Sequence, residues 1–241
     1  MSLEALIFDL DGTLADTEET HRQAFNSAFI RLELWWDWGP LRYSELLEVS
    51  GGLDRLHHYV DSLGVAPAEK ARLHAIVPLI HATKSEIYVE LLRAGQPPLR
   101  PGVKRLIAEA QHEGLQVAVV STTTSANALE LLRNHFRQPG IDLLVCADEV
   151  ARRKPAPDLY QRALALLRKP ADACIAFEDS ANGLRAARNA GLVTVVTPSR
   201  WTMAQDFAGA DALLRDLSDH GLAQVRRIHQ SVLQRRGIAA A

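Results

Sequence analysis

Ala5-Leu6-Ile7-Phe8-Asp9-Leu10-Asp11-Gly12-Thr13-Leu14 is the stretch on which the reading of this chain turns. Apolar residues run up to Asp9, as in a strand buried on both faces, and then polarity changes abruptly. Two carboxylates follow at i and i+2, and Gly12 frees the backbone to turn sharply. An acidic pair at the mouth of a buried strand carries a desolvation and repulsion cost that packing alone would not select. A divalent cation is the simplest compensation, and a dication with oxygen ligands favours a phosphate substrate. Read alone, the stretch is explained equally well by a strand end with a solvated Asp-x-Asp-Gly turn.

Working outward, the period of the sequence changes twice. From Thr17 to about Pro98 it is helical. Ala24, Phe25, Ala28, Phe29 and Leu32 form an apolar stripe, and helix-compatible stretches cover 43–48, 53–63 and 67–92. Trp35, Trp36 and Trp38 are expected to fill the core of this helical block. After the breaker-rich Gly95-Gln96-Pro97-Pro98, strands and helices alternate. A helix with Val103, Leu106, Ile107 and Ala110 ends at Gly114, and 115–120 reads as a buried strand. Ser125 caps the next helix, with Leu129 and Leu132 facing inward. Strands follow at 141–147, 174–177 and 192–197, with a short edge strand at 212–214. The intervening helices cover 155–167 and the segment through Leu184, Ala187 and Ala190 to Gly191. The tail from Gly221, with Arg226, Arg227, Arg235 and Arg236 among Val225, Ile228 and Val232, reads as a solvated helix or a frayed end.

Alternation of this kind implies a parallel sheet with right-handed crossovers. The expected fold class is therefore α/β. A core made of residues 1–15 and 95–241 receives an all-helical insertion at 16–94. Ligands in such folds bind beyond the carboxyl ends of the strands.

With 241 residues, 47% of them hydrophobic, the chain can bury a sizeable core, and its net charge of -2 gives no support for a nucleic-acid or membrane-surface partner. No apolar run is long enough to span a bilayer, and none at the amino terminus resembles a signal peptide. A cytoplasmic monomer is expected. Cys146 and Cys174 lie in apolar strand-like runs and read as core thiols.

Several strand ends carry the polar residues that an active site needs. Val119-Val120-Ser121 is followed by Thr122-Thr123-Thr124-Ser125, a hydroxyl-rich run before a helix that suits an anion. Either Ser121 or, one residue on, Thr122 can supply the hydroxyl. Lys154-Pro155 offers a cation, with Pro155 expected to start the next helix. Phe177-Glu178-Asp179-Ser180-x-x-Gly183 ends an apolar strand on two carboxylates, although Asp179 alone could be a helix cap.

Taken together and in this order, Asp9-x-Asp11-Gly12-Thr13, Ser121, Lys154-Pro155 and Glu178-Asp179 resemble the motifs of the haloacid dehalogenase-like hydrolases. That resemblance implies a Rossmann-like core with an inserted helical cap domain and a Mg2+ cofactor held by Asp9, Asp11, Glu178 and Asp179. Asp9 would be the nucleophile that becomes aspartyl-phosphate, and Asp11 the general acid and base. Ser121 and Lys154 would hold the phosphoryl oxygens.

Asp16-Thr17-Glu18-x-x-His21 further resembles the CbbY-like and beta-phosphoglucomutase-like sugar-phosphate group. Tyr43, Gly51-Gly52, Arg55, Ile80-His81-x-x-Lys84 and Asn182 add to the CbbY-like side. The implied substrate is a small sugar phosphate, such as xylulose or ribulose 1,5-bisphosphate. Glu18, His21, Tyr43, Gly51, Gly52, Arg55, Lys84, Thr122 and Asn182 would be its binding residues. A bisphosphate needs cations away from the metal, and Arg55 and Lys84 are the candidates. CbbY-like members often carry a lysine directly after the glycine pair; Leu53 stands there, leaving Arg55 to compensate. A sugar-phosphate mutase or a non-catalytic sugar-phosphate sensor would use much of the same constellation.

Overall fold

The computed structural model describes residues 2–95, 97–136 and 140–238, and divides the chain into two compact units, Met1–Asp16 with Pro98–Ala241, and Thr17–Pro97.

The first unit is built on a six-stranded sheet in the order β3-β2-β1-β4-β5-β6, with every adjacent pair parallel. Its strands are β1 (Ala5–Asp9), β2 (Gln116–Val120), β3 (Leu143–Val145), β4 (Cys174–Glu178), β5 (Val193–Val196) and β6 (Ala212–Leu213). All five residues of β1 are buried, which is why that segment reads as an unbroken apolar run rather than an alternating one. Phe8 lies opposite Phe177, and their rings stack with centroids 4.6 Å apart. From β1 the chain winds outward to β2 and β3, then returns to β4 on the other side of β1. The order therefore reverses between β1 and β4, and a crevice opens at their carboxyl ends.

Among the described residues of this unit the helices are α5 (Val103–His112), α6 (Ser125–His135), α7 (Asp158–Leu167), α8 (Ala181–Asn189) and α9 (Leu222–Arg235). On one face, Leu159, Tyr160 and Ala163 of α7 and Ala186 and Ala187 of α8 cluster with Ala5, Ile7, Ala118 and Val120. Helices α5 and α9 pack on each other and against β2 and β5.

The described residues of the second unit form the helices α1 (Glu18–Arg31), α2 (Pro40–Leu46), α3 (Gly52–Ser62) and α4 (Pro67–Ala94). Its core is aromatic. Trp38 is fully buried between Phe25, Phe29, Tyr43 and Tyr59, and Trp36 meets Phe29 and Tyr59 edge-on. Asn26 fixes the Trp38 backbone by donating to its carbonyl and accepting from its N–H. Trp35 takes no part and is 75% exposed.

Several local expectations need correction. Thr124, not Ser125, caps α6, its hydroxyl accepting from the Asn127 N–H; the Ser125 hydroxyl donates to Asp148 instead. Leu129 is 43% exposed, because the inward stripe of α6 is Ala128, Leu131 and Leu132. The strand expected at 141–147 shrinks to β3, since Ala147–Glu149 turns into a short 3-10 helix. Pro155 does not start α7; the chain turns first, and the helix begins at Asp158. The tail forms a surface helix, as expected, with Arg227, Gln230, Gln234, Arg235 and Arg236 exposed, but it is anchored on one side. Leu222, Val225, His229, Val232 and Leu233 form a buried face on α9, with the arginines around it. Cys146 and Cys174 are buried free thiols, each pushed up to about 12 by burial. No helix among the described residues is long and apolar enough to cross a membrane.

His229 generates a prediction. It is fully buried, and burial pushes its pKa down against the opposing backbone contact at Asp172. The unfolded chain therefore takes up a proton as pH falls through its ordinary value of 6.5, while the folded protein resists it. Stability is lost on acidification by up to about 1.4 kcal/mol per pH unit. Urea unfolding at pH 7.5 and 5.5 should show this loss in the wild type and a smaller one in His229→Phe; equal losses would refute it.

Candidate active site

Three carboxylates meet at the crevice. Asp9 ends β1, Glu178 ends β4 and Asp179 follows it; a carboxylate oxygen of each lies within 4.8 Å of the others. They are buried, with relative exposures of 7%, 0% and 3%. Lys154, also buried, donates from Nζ to Asp9 Oδ1 at 2.5 Å and to Glu178 Oε1 at 2.6 Å. Tyr160 on α7 donates its hydroxyl to the same Glu178 oxygen at 2.5 Å. Asp179 is held from another side, its Oδ2 accepting from Thr202 Oγ1 at 3.1 Å.

The local sequence makes room for these charges. Gly12 has φ +87°, and a Cβ there would lie 2.3 Å from Asp179 Oδ2. Gly183, on the first turn of α8, leaves space for Glu178; its Cβ would lie 1.8 Å from Oε2. The cap of that helix is Ser180, which accepts from the Gly183 N–H at 3.1 Å, so Asp179 is not spent on capping.

The electrostatics are unbalanced. Burial first, then the neighbouring Glu178 and Asp179 charges, raise the Asp9 pKa well above the usual carboxylate range, although Lys154 opposes the shift. Burial works against the Lys154 charge, but Asp9 and Glu178 outweigh it and raise its pKa, so it stays an ammonium at neutral pH. Burial and the adjacent Glu178 raise the Tyr160 hydroxyl as well, keeping it a donor.

Asp11, expected among the metal ligands, does not belong to the carboxylate group. Strand β1 ends at Asp9 and the chain turns at once, with Leu10 buried and the Leu14 and Ala15 N–H groups closing back on its carbonyl. The Asp11 carboxylate is thereby directed to the end of β2, where its Oδ2 accepts from Ser121 Oγ at 3.1 Å. Ser121 is fully buried and its hydroxyl also accepts from the Thr123 N–H; Thr122 beside it is half-buried. Asn182 on α8 is buried and accepts from Arg185.

The helical unit gathers the other expected residues into two clusters. Glu18 Oε2 accepts from the Tyr43 hydroxyl at 2.7 Å, and that hydroxyl accepts from Arg55 Nη1 at 3.2 Å. The remaining Arg55 nitrogens reach the Leu46 and Val49 carbonyls beyond the end of α2. One turn along α1, His21 Nδ1 lies 2.7 Å from Lys84 Nζ, and the His21 ring stacks on Tyr88 with centroids 4.0 Å apart. Lys84 also lies over the Phe25 and Tyr88 rings. Gly51, with φ +85°, precedes α3, and Gly52 opens it, a Cβ there lying 3.1 Å from the His81 ring.

A family model for haloacid dehalogenase-like hydrolases matches residues 3–191. Protein CbbY of Rhodobacter capsulatus is 46% identical over 221 residues, covering 90% of this chain and 95% of that protein. The crystal structure of CbbY from Rhodobacter sphaeroides in complex with phosphate superposes with a TM-score of 0.83 at 42% identity, covering 92% of this chain and 98% of that one. A mutant of that CbbY in complex with xylulose 1,5-bisphosphate gives the same TM-score at 41% identity, with the same coverage. The chain belongs to the haloacid dehalogenase-like hydrolases. Within them it is CbbY-like.

For this hydrolase, the donor set fits Mg2+. Asp9, Glu178 and Asp179 offer hard oxygens only, as that ion requires. One ammonium cannot neutralise three carboxylates, and Glu178 Oε2 has no hydrogen-bond partner.

Tyr160, Thr202 and Gly183 carry this site without having been read as part of it. Tyr160 lies on the apolar stripe of α7, where its ring reads as core and its hydroxyl is overlooked. Thr202 lies in the loop after β5 with no motif around it, and Gly183 was quoted only as a motif position. Gly183→Ala should destabilise the hydrolase by about 1–3 kcal/mol, because Glu178 cannot retreat from a fully buried position. Unchanged urea unfolding in that variant would show that the carboxylate has room to move.

Proposed function

We propose that this hydrolase is a Mg2+-dependent phosphatase of a small sugar phosphate, with a pentulose 1,5-bisphosphate as substrate class, acting through an aspartyl-phosphate. The observation that carries the reading is the desolvated Asp9 carboxylate, gripped by Lys154 beside two further carboxylates. Xylulose 1,5-bisphosphate, bound by the similar CbbY, supports the substrate class.

In the proposed reaction Asp9 attacks phosphorus. A bond from its carboxylate oxygen to phosphorus forms as the ester P–O bond breaks, and Asp11 gives its proton to the leaving alkoxide. Asp11 then takes a proton from water as the water oxygen bonds to phosphorus and the bond to Asp9 breaks, releasing inorganic phosphate. Lys154 remains cationic throughout and holds Asp9 in place for attack. Ser121, with Thr122 beside it, is assigned to the phosphoryl oxygens, and its contact with Asp11 keeps acid and phosphate site together. Asp9, Asp11, Glu178 and Asp179 are assigned to Mg2+, which would supply positive charge to offset the phosphoryl oxygens. Arg55 and Lys84, with Glu18, His21, Tyr43 and the Gly51-Gly52 amides, are assigned to the second phosphate and the sugar hydroxyls. Asn182 is assigned to the substrate as well.

The test is release of inorganic phosphate, with and without Mg2+, from xylulose and ribulose 1,5-bisphosphates, glucose 1-phosphate and other sugar monophosphates. Mg2+-dependent release with preference for a pentulose bisphosphate is expected. Asp9→Asn should lower turnover by at least about 1,000-fold while leaving the fold intact. Conversion to a phosphorylated isomer without free phosphate would replace the reading with a mutase. Ligand binding with no turnover on the panel would replace it with a sensor.

A further inference from the structure

The geometry points to Arg100 as a positioning residue that sets the two acidic motifs relative to each other; this deepens the phosphatase reading and rests on it. Arg100 lies just past the second crossing between the units, in a segment paired with the first. The Arg100 N–H donates to the Leu14 carbonyl at 2.9 Å, the Asp16 N–H to the Pro98 carbonyl at 3.0 Å, and Ala15 and Leu99 form an antiparallel bridge between them.

From that fixed base the guanidinium reaches four backbone carbonyls on three separate segments. Nη1 donates to Gly12 O at 2.5 Å and to Thr197 O at 2.8 Å. Nη2 donates to Pro198 O at 3.0 Å and to Arg215 O at 3.3 Å. Two of these carbonyls sit one bond network away from the chemistry. Gly12 follows Asp11 and packs against Asp179 so closely that a Cβ would not fit. Thr197 donates its own N–H to the Glu178 carbonyl at 2.7 Å, and the loop it opens carries Thr202, the donor to Asp179. A single planar fork therefore ties the backbone beside Asp11 to the backbone beside Glu178 and Asp179.

A lysine cannot replace that link. An ammonium is a point donor and cannot span four carbonyls as a rigid guanidinium does. Loss of the fork leaves Asp9 and Lys154 in place but lets the Asp11 loop drift from the Asp179 loop. Displacements of about 1 Å in a reacting group cost about 100-fold in rate.

Arg105 supplies the control. It too donates from a guanidinium nitrogen to the backbone of this region, to Leu217 O at 2.9 Å, yet it touches neither motif loop. Arg100→Lys is expected to lower kcat by about 10- to 100-fold with KM changed less than about 3-fold. Arg105→Lys should match the wild type. In Arg100→Ala, millimolar guanidinium should restore part of the lost turnover. Amide exchange at Gly12, Leu14 and Thr197 should quicken together in Arg100→Lys but not in Arg105→Lys, a readout that needs no substrate. Should Arg100→Ala fail to fold, Arg100→Gln takes its place in the rescue experiment. Wild-type turnover in Arg100→Lys, equal losses in both lysine variants, or unchanged amide exchange would overturn the assignment. A wild type that turns over no substrate would instead overturn the phosphatase reading, and amide exchange would still decide Arg100.

Discussion

Three buried carboxylates within reach of one another and a single buried ammonium form the constraint to which the rest of the first unit answers. Ionised carboxylates packed this closely repel, and burial removes the water that would screen them. Burial and the Glu178 and Asp179 charges push the Asp9 carboxyl above the usual carboxylate range, with Lys154 opposing them. What the protein supplies is specific. Tyr160 and Lys154 converge on one oxygen of Glu178, Thr202 holds one oxygen of Asp179, and two glycines keep side chains out of the space the carboxylates occupy. A protein under selection for stability alone would replace such a cluster with apolar packing. Its retention is an argument for chemistry.

The sheet places the cluster where it can meet a ligand. Reversal of strand order between β1 and β4 parts the crossovers, so the ends of these two neighbouring strands open outward instead of being roofed by one connection. Asp9 and Glu178 are the last residues of those strands, and pairing in register from Ala5 with Cys174 to Phe8 with Phe177 brings them level. Lys154 arrives from the turn between β3 and α7, and Ser121 from the end of β2. Each functional group thus comes from a different loop at one edge of one sheet. Their distances are set by strand register and by the few side chains, Arg100 foremost, that cross between loops.

Much of this was legible in the sequence because it rests on local rules. The apolar run of β1, the alternation after residue 98 and the charged residues at strand ends follow from burial and chain direction, which a linear pattern records. What escaped depends on contacts between distant residues. Tyr160 and Glu178 are 18 positions apart, and Arg100 and Thr197 are 97 apart. Nothing near Arg100 in sequence signals four carbonyl partners. The errors at α6 have the same origin: Ser125 is a good cap by type, but Asp148 claims its hydroxyl, and Thr124 is left to cap. For α9 the exposed arginines and the apolar residues between them were both visible, but that Leu222, Val225 and Val232 are buried depends on what packs against them. The contact of the Asp11 carboxylate with Ser121, 110 positions away, is of the same long-range kind.

The helical unit poses the same energetic question with the opposite charge. Arg55 and Lys84 are only 8% and 4% exposed, unusual positions for cations in a unit of this size. Their contacts include backbone carbonyls, a phenol, an imidazole nitrogen and ring faces. Aromatic packing around Trp38 already gives this unit a core, so two buried cations are not needed to hold it together. A bound phosphate would set an anion against these charges and recover part of their desolvation cost. Leu53 removes a possible exposed cation from the start of α3 but leaves these buried, preorganised ones intact. Recognition of a second phosphate would then rest on side chains whose orientation is fixed before ligand arrives, which lowers the ordering entropy of binding.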